Sequence, residues 1–387
     1  MTNTILRRGA RAAAIGLVVL LAGLIFAGYG AYRVDAFTQA TFRPDTVLPV
    51  GQAPDTGGGV PAGEVATSSD TLGYGDSAPI TQLRAGRPFT ILLLGFGGAG
   101  HDGAYLTDSL EVARLDPTSG AITLISVPRD LWVHIPRMTN GQGDYWGKIN
   151  EAYALGVGTT DPGTGGDNRR HQAGGALAST VVAQVLGIPI DAWLSLDFVG
   201  FRQFIDALGG VDVDVAQTFT DDHYPNNDDA DIDPSYKTIH FDAGPQHLDG
   251  EAALAFARSR YAPEDGSDFG RARRQQRVLS GVARQLASPG ALPRAFALLD
   301  ALTGHVHTSL SSGEARDLAG WAQERATTGQ RPTFRTGVLD TATTGLLTAD
   351  ASAAGQDILL PAAGRGNFTA IRAYVRTLIA DSAPSAP

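Results

Sequence analysis

The sequence predicts an α/β domain, one unit with a mixed central sheet layered with helices, carried behind a single N-terminal transmembrane helix. Three features predict it. A continuous apolar run of strand length follows Pro88, segments of helical and strand period alternate from there to the C-terminus, and residues 12–32 carry no charge at all.

The N-terminal element comes first. Arg7, Arg8 and Arg11 precede Ala12–Tyr32, 21 uncharged residues rich in Leu, Ile, Val, Ala and Gly. Such a stretch is long enough to cross a hydrocarbon core of about 30 Å. Basic residues before it and an anionic remainder after it predict residues 1–11 on the cytoplasmic side and the rest outside. A cleaved signal peptide is the competing reading, with Gly28 and Gly30 or Tyr29 and Ala31 flanking a cleavage site; the apolar run exceeds the usual length of such a peptide's core. Residues 33–87, dense in Gly, Pro, Ser and Thr as in Thr56–Gly63, are expected to be a flexible linker, and residues 88–387 the extracytoplasmic domain.

Within that domain Phe89–Phe96 (FTILLLGF) is apolar throughout, as a strand covered on both faces should be. Ser109–Asp116 and Ala121–Val127 read as two strands joined by a turn containing Pro117 and Gly120. Gly175–Leu186 is expected to be helical, Ile190–Leu196 extended, and Phe198–Leu208 a helix stopped by Gly209-Gly210. Val211–Val215 alternates apolar with Asp. Residues 271–286 and 291–326 read as helical, with Asp357–Pro361 a last strand and Thr369–Ala380 a closing helix. The acidic run Asp221–Asp231 lacks the spacing and central Gly of an EF-hand loop, and a solvated loop is expected.

Composition narrows the chemistry. The chain of 387 residues has no cysteine, which excludes disulfides, thiol nucleophiles and thiolate metal sites. There is no Gly-x-Ser-x-Gly elbow, and a net charge of −10 on an exported domain disfavours nucleic acid. Against that charge, six arginines lie between 258 and 277, while Lys148 and Lys237 are the only lysines. Guanidinium forks that stay protonated suit a pyrophosphate better than ammonium groups do. Arg271, Arg274, Gln275 and Val278 recur at i, i+3, i+4 and i+7 and share a helical face. Arg258 and Arg260 point the same way if the chain leaves an Asp249-capped helix extended. An Arg-rich solvated surface helix is the competing reading.

A second cluster, Gly95–Ser109, follows the first strand where α/β sheets place ligands. Its Asp108 and Asp102 are hard oxygen donors suited to Mg²⁺, with a turn or cap residue as the alternative for Asp108. Arg129 in Val127-Pro128-Arg129-Asp130 is either a further anion-binding group or a surface ion pair. His305 and His307 have no third ligand nearby for zinc.

Read together, Leu92–Gly95, Leu106–Ser109, Ser126–Asp130, Lys148–Asn150, Asp206–Val211 and the two arginine motifs occur in the order seen in the LytR-CpsA-Psr (LCP) family, which the chain resembles firmly over 88 to about 290. The resemblance implies a single LCP-type domain whose core holds a polyprenyl chain. It implies a Mg²⁺-dependent phosphotransferase in the cell membrane, moving a glycopolymer from undecaprenyl pyrophosphate to peptidoglycan. Carried over by residue, Asp108 resembles a Mg²⁺ ligand, and Arg129, Arg258, Arg260, Arg271, Arg274 and Gln275 resemble the pyrophosphate grip, with Arg258 and Arg260 also catalytic. Many members carry Gly-x-Asp-x-Arg after the first strand, where this chain has Gly95-Phe96-Gly97-Gly98-Ala99. Asp102, ahead of His101, is the expected substitute in the metal or base role. A lipid-pyrophosphate binding or regulatory protein, and a pyrophosphate hydrolase, are the alternatives.

Overall fold

The structure, a computed structural model, describes residues 37–42, 79–98, 101, 103–136, 145–158, 166–227, 233–264, 266–286, 295–315, 317–318, 321 and 333–380. In chain order, α1 (Pro79–Arg84) precedes β1 (Phe89–Phe96), β2 (Thr107–Leu115), β3 (Ala121–Ser126), β4 (Trp132–Ile135) and β5 (Tyr145–Lys148). Next come α2 (Glu151–Gly158), α3 (Gly166–Leu186), β6 (Ala192–Asp197), α4 (Phe198–Leu208), β7 (Val211–Val215), β8 (Phe219–Pro225), β9 (Tyr236–Phe241) and β10 (Gly244–Leu248). Then follow α5 (Gly250–Arg258), α6 (Asp268–Leu286), α7 (Ala295–Leu302), β11 (Val306–Thr308), β12 (Thr333–Val338), β13 (Leu347–Ala351), β14 (Asp357–Pro361) and α8 (Thr369–Ala380).

The central sheet has six strands in the order β11-β6-β1-β2-β3-β12. It is mixed: β1 runs antiparallel to β2 and parallel to β6, and β12 runs parallel to β3. The β2–β3 hairpin forms because Asp116 accepts the amides of Thr118 and Ser119 and Gly120 takes φ 70°. Successive residues of β1 face opposite layers. Ile91 and Leu93 pack with α4, α5, α6 and α7, whereas Leu92, Leu94 and Phe96 pack with α2, α3 and α8. That is why the strand is apolar along its whole length. Helix α4 is entered through Asp197, which caps the Gly200 amide at 2.7 Å, and is left through Gly209 at φ 84°.

Several expectations are revised. Helix α3 starts nine residues before 175, and α6 begins at Asp268. The region 291–326 is not helical throughout, since β11 joins β6 as an edge strand of the main sheet. The strand at 357–361 pairs with β13 outside that sheet, and β12 had not been anticipated. Asp221, placed in a solvated loop by its acidic neighbours, lies within β8 and is 1% exposed. The expected span 12–32 lies outside the described residues, and among those described no helix is long and apolar enough to cross a membrane. Two pieces of the expected linker pack on the domain: Phe37 and Phe42, and Pro79 and Leu83 of α1, are all buried.

Candidate functional site

One cavity of about 410 Å³ opens between the sheet and the layer of α4, α5 and α6. Its inner wall is hydrocarbon, with Leu93, Leu194, Phe201, Phe204, Val278 and Val282 among the lining side chains. The polar part of the lining holds Asp108, Arg129, Arg258, Arg260, Arg271 and Gln275. Six of the residues singled out in the sequence thus converge on one space.

Each is aimed by its own element. Asp249 caps α5 by accepting the Ala252 amide at 2.8 Å, and the helix ends at Ser259 with φ −46°, ψ 136°. The chain therefore leaves extended, and Arg258 and Arg260 both reach the cavity. The Arg258 guanidinium stands 4.4 Å above the Phe198 ring and 5.6 Å from that of Tyr224, and Nη2 donates to His101 Nε2 at 3.1 Å. Asp268, in the first turn of α6, places one carboxylate oxygen 2.9 Å from Arg271 Nη2 and 3.2 Å from Arg260 Nε. These are ion pairs without hydrogen-bond geometry, so that buried oxygen keeps its acceptor capacity. Arg129 donates to Asp108, and Asp130 in turn accepts from Lys148 at 2.6 Å.

The charges feel their surroundings. Burial opposes the charge on Arg129, yet Asp108, Asp130 and Asp268 together raise its pKa above the ordinary value. Burial lowers Arg271 to about 10, with Asp268 pulling the other way, so it remains a cation at neutral pH. Asp130 is held below the usual carboxylate range: burial resists this, but the Lys148 hydrogen bond and Arg129 outweigh it. Arg129 Nε is buried and lies 3.4 Å from Asp130 Oδ2, an ion pair without hydrogen-bond geometry.

Arg274 is placed differently from the expectation. It is fully buried, does not line the cavity, donates from Nε to the Phe256 carbonyl at 2.9 Å and from Nη2 to the Ser259 carbonyl. Its guanidinium thus ties the last turn of α5 to α6 and holds Arg258 and Arg260 in place. Asp102 lies outside the described residues, as does Ala99. Gly97 is described: a Cβ there would fall 2.4 Å from His101 Cγ, so the imidazole fills the volume of the missing side chain.

The sequence does not single out two residues of the site. Asp268 stands in it only as part of a motif. Asp221 accepts from Ser259 Oγ at 2.7 Å, from the Arg260 and Tyr261 amides at 3.0 and 3.1 Å, and from the His223 amide at 3.0 Å. Those four bonds keep its pKa low against the effect of burial. Only its position inside a strand-like alternation, Phe219, Asp221, could have hinted at burial.

Among the described residues no three His, Asp or Glu side chains are grouped to hold a metal by themselves. The donor set fits Mg²⁺ in a narrower sense. Asp108 supplies one hard carboxylate beside the guanidiniums, and this ion commonly takes its remaining oxygens from phosphate and water.

The sequence and fold have known counterparts. A family model described as the LytR_cpsA_psr family matches residues 64–331. A polyisoprenyl-teichoic acid–peptidoglycan teichoic acid transferase, TagU of Enterococcus faecalis, is 32% identical over 235 residues, 60% of this chain and 65% of that protein. TagV of Bacillus subtilis, with the same transferase name, is 33% identical over 227 residues, 58% of this chain and 50% of that protein. The chain therefore spans half to two thirds of these relatives' length. A crystal structure from Streptococcus agalactiae, 22% identical, shares the fold with a TM-score of 0.56 over 77% of this chain and 90% of that one.

Proposed function

The chain belongs to the LytR-CpsA-Psr family, and we propose that it is a glycopolymer phosphotransferase, moving a polymer from a polyprenyl-pyrophosphate carrier to peptidoglycan on the outer face of the cell membrane. The observation that carries this reading is the junction of two chemistries in one cavity: an apolar wall suited to an isoprenoid chain, and four guanidiniums suited to a pyrophosphate. The curated relatives are named as transferases of polyisoprenyl-linked teichoic acid to peptidoglycan, which supports this reading.

The residues divide the work. Arg129, Arg258, Arg260 and Arg271 bind the two phosphates, and Gln275 adds an amide donor. Asp268 pairs with both Arg260 and Arg271, and His101, in the space left by Gly97, accepts from Arg258. Asp108 would hold Mg²⁺, which bound there would neutralise charge on the phosphate oxygens. An acceptor hydroxyl attacks the distal phosphorus, a P–O bond forms as the hydroxyl proton passes to solvent, and the bond to the prenyl phosphate breaks with its electrons leaving on that phosphate. The fixed guanidiniums stabilise the negative charge that develops. The apolar wall keeps the leaving prenyl phosphate in place.

The test is the full chain in detergent, given a polyprenyl-pyrophosphate oligosaccharide and a peptidoglycan fragment, with and without Mg²⁺. Expected is a Mg²⁺-dependent acceptor adduct together with prenyl phosphate, reduced by about 10² or more in Asp108→Ala and Arg258→Ala, the scale of losing a fixed charge at a transition state. Carrier binding with no adduct would instead make the protein a lipid-pyrophosphate binder or regulator, and prenyl phosphate without adduct would make it a hydrolase.

A further inference from the structure

Tyr236 and Tyr261 are the most exposed large apolar side chains among the described residues, at 60% and 61%. Both line the rim of the arginine cavity, and exposed His223 lies between them, its ring 5.8 Å from Tyr236 and 6.0 Å from Tyr261. Two isolated tyrosines on a surface would need no explanation. Here three rings form one ridge, with Arg260 Cζ 6.0 Å from the Tyr261 ring.

The ridge is also held rigid. Asp221, almost wholly buried, accepts the His223 amide on one carboxylate oxygen and the Arg260 and Tyr261 amides on the other. A single carboxylate thus fixes the backbone under two of the rings and under a phosphate-binding arginine. Such preorganisation suits recognition, because little ordering remains to be done when a ligand arrives.

We propose that Tyr236, His223 and Tyr261 form a sugar subsite, which stacks against the pyranose ring joined to the distal phosphate of the donor. This rests on the transfer reading above and extends it. A sugar linked to a pyrophosphate gripped by Arg258 and Arg260 must leave the cavity over its rim. Tyrosine offers a flat apolar face to the C–H side of a pyranose and a hydroxyl to its polar edge. A membrane-anchoring role for the aromatics is the rival, and the buried Asp221 link to Arg260 argues for the sugar instead.

The test uses the full chain in detergent micelles and two probes, a polyprenyl pyrophosphate and the same lipid bearing one N-acetylglucosamine. Wild type should bind the sugar-bearing probe more tightly. Tyr236→Ala and Tyr261→Ala should each weaken that probe alone, by about three- to tenfold, the scale of one aromatic contact. Tyr236→Phe and Tyr261→Phe keep the ring and should retain most of the affinity, which separates stacking from misfolding. Equal losses for both probes, a wild type indifferent to the sugar, a change only in acceptor KM, or reduced association with phospholipid vesicles would each overturn the assignment. If wild type bound neither probe, the transfer reading would fail, and the subsite with it.

Discussion

Glu111 is a buried acid that the proposed transfer does not use. It sits on β2, 1% exposed and opposite Leu93, in the lining of the cavity. One carboxyl oxygen accepts from Ser126 Oγ, to which Gln276 Nε2 also donates at 2.9 Å; the other has no partner. Burial, resisted only by those hydrogen bonds, pushes its pKa from 4.5 up to about 8. The folded chain therefore keeps a proton that the unfolded chain releases above 4.5. The stability this contributes is fully present below pH 4.5 and is lost as pH rises through about 8. Unfolding free energies measured from pH 5 to 8 should fall more steeply in wild type than in Glu111→Gln, by up to about 1.4 kcal/mol per pH unit. Parallel profiles would show that Glu111 is charged in the folded state. An acid in an apolar strand pattern is visible in the sequence, but nothing local distinguishes a protonated wall residue from a solvated one.

Elements differ in how far the sequence specifies them. β1, the β2–β3 hairpin and α4 were legible because their signals are local: an unbroken apolar run, an Asp-Pro-Thr-Ser-Gly turn and a terminal Gly-Gly. β11 and β12 were not. The first is three residues long, and the second gains its place by pairing with β3, more than two hundred residues earlier in the chain. The candidate site divides the same way. Helical period correctly placed Arg271, Gln275 and Val278 towards the cavity, but it could not tell that Arg274, on the flank of that face, would turn to the carbonyls of α5. Asp221 depended on residues 259–261, which no spacing near it reveals. Its position at the join between the β8–β9 hairpin and the end of α5 gives a direct prediction. Asp221→Ala strips four donors of their acceptor and should destabilise the fold by about 3 kcal/mol in denaturant titrations, since unsatisfied buried groups cost about 1–3 kcal/mol each before relaxation and water relieve some of them. Under conditions where the variant is folded, kcat/KM should fall as well, because Arg260 and Tyr261 lose their support.

At the scale of the whole molecule, the cavity opens on the layer of α4 to α7, and residues 37–42 pack against the same layer. Phe37 and Phe42, 1% and 2% exposed, meet edge to face at 5.7 Å and belong to the core that also contains Leu298, Leu302 and Trp321. The backbone between them is gripped from two further elements: Asn168 donates to the Gln39 and Phe42 carbonyls, and His307, stacked 3.7 Å from His171, donates from Nδ1 to Ala40. A segment that composition assigns to a flexible linker is thus anchored near its start, because two aromatic rings outweigh the polar residues around them. Four residues separate Tyr32, the end of the expected membrane span, from Phe37. If that span is present, the domain is held close to the bilayer rather than at the end of a tether more than fifty residues long. Burying each Phe contributes about 1.5–3 kcal/mol, and in a domain of this size 1 kcal/mol moves Tm by about 2–4 °C. A chain starting at residue 79 should therefore unfold below one starting at residue 34, by about 6–24 °C for the two rings together before the cost of ordering the loose segment is subtracted. Phe37→Ala with Phe42→Ala in the longer chain should reproduce most of that loss. Equal melting temperatures for all three proteins would show that the segment contributes nothing to the domain.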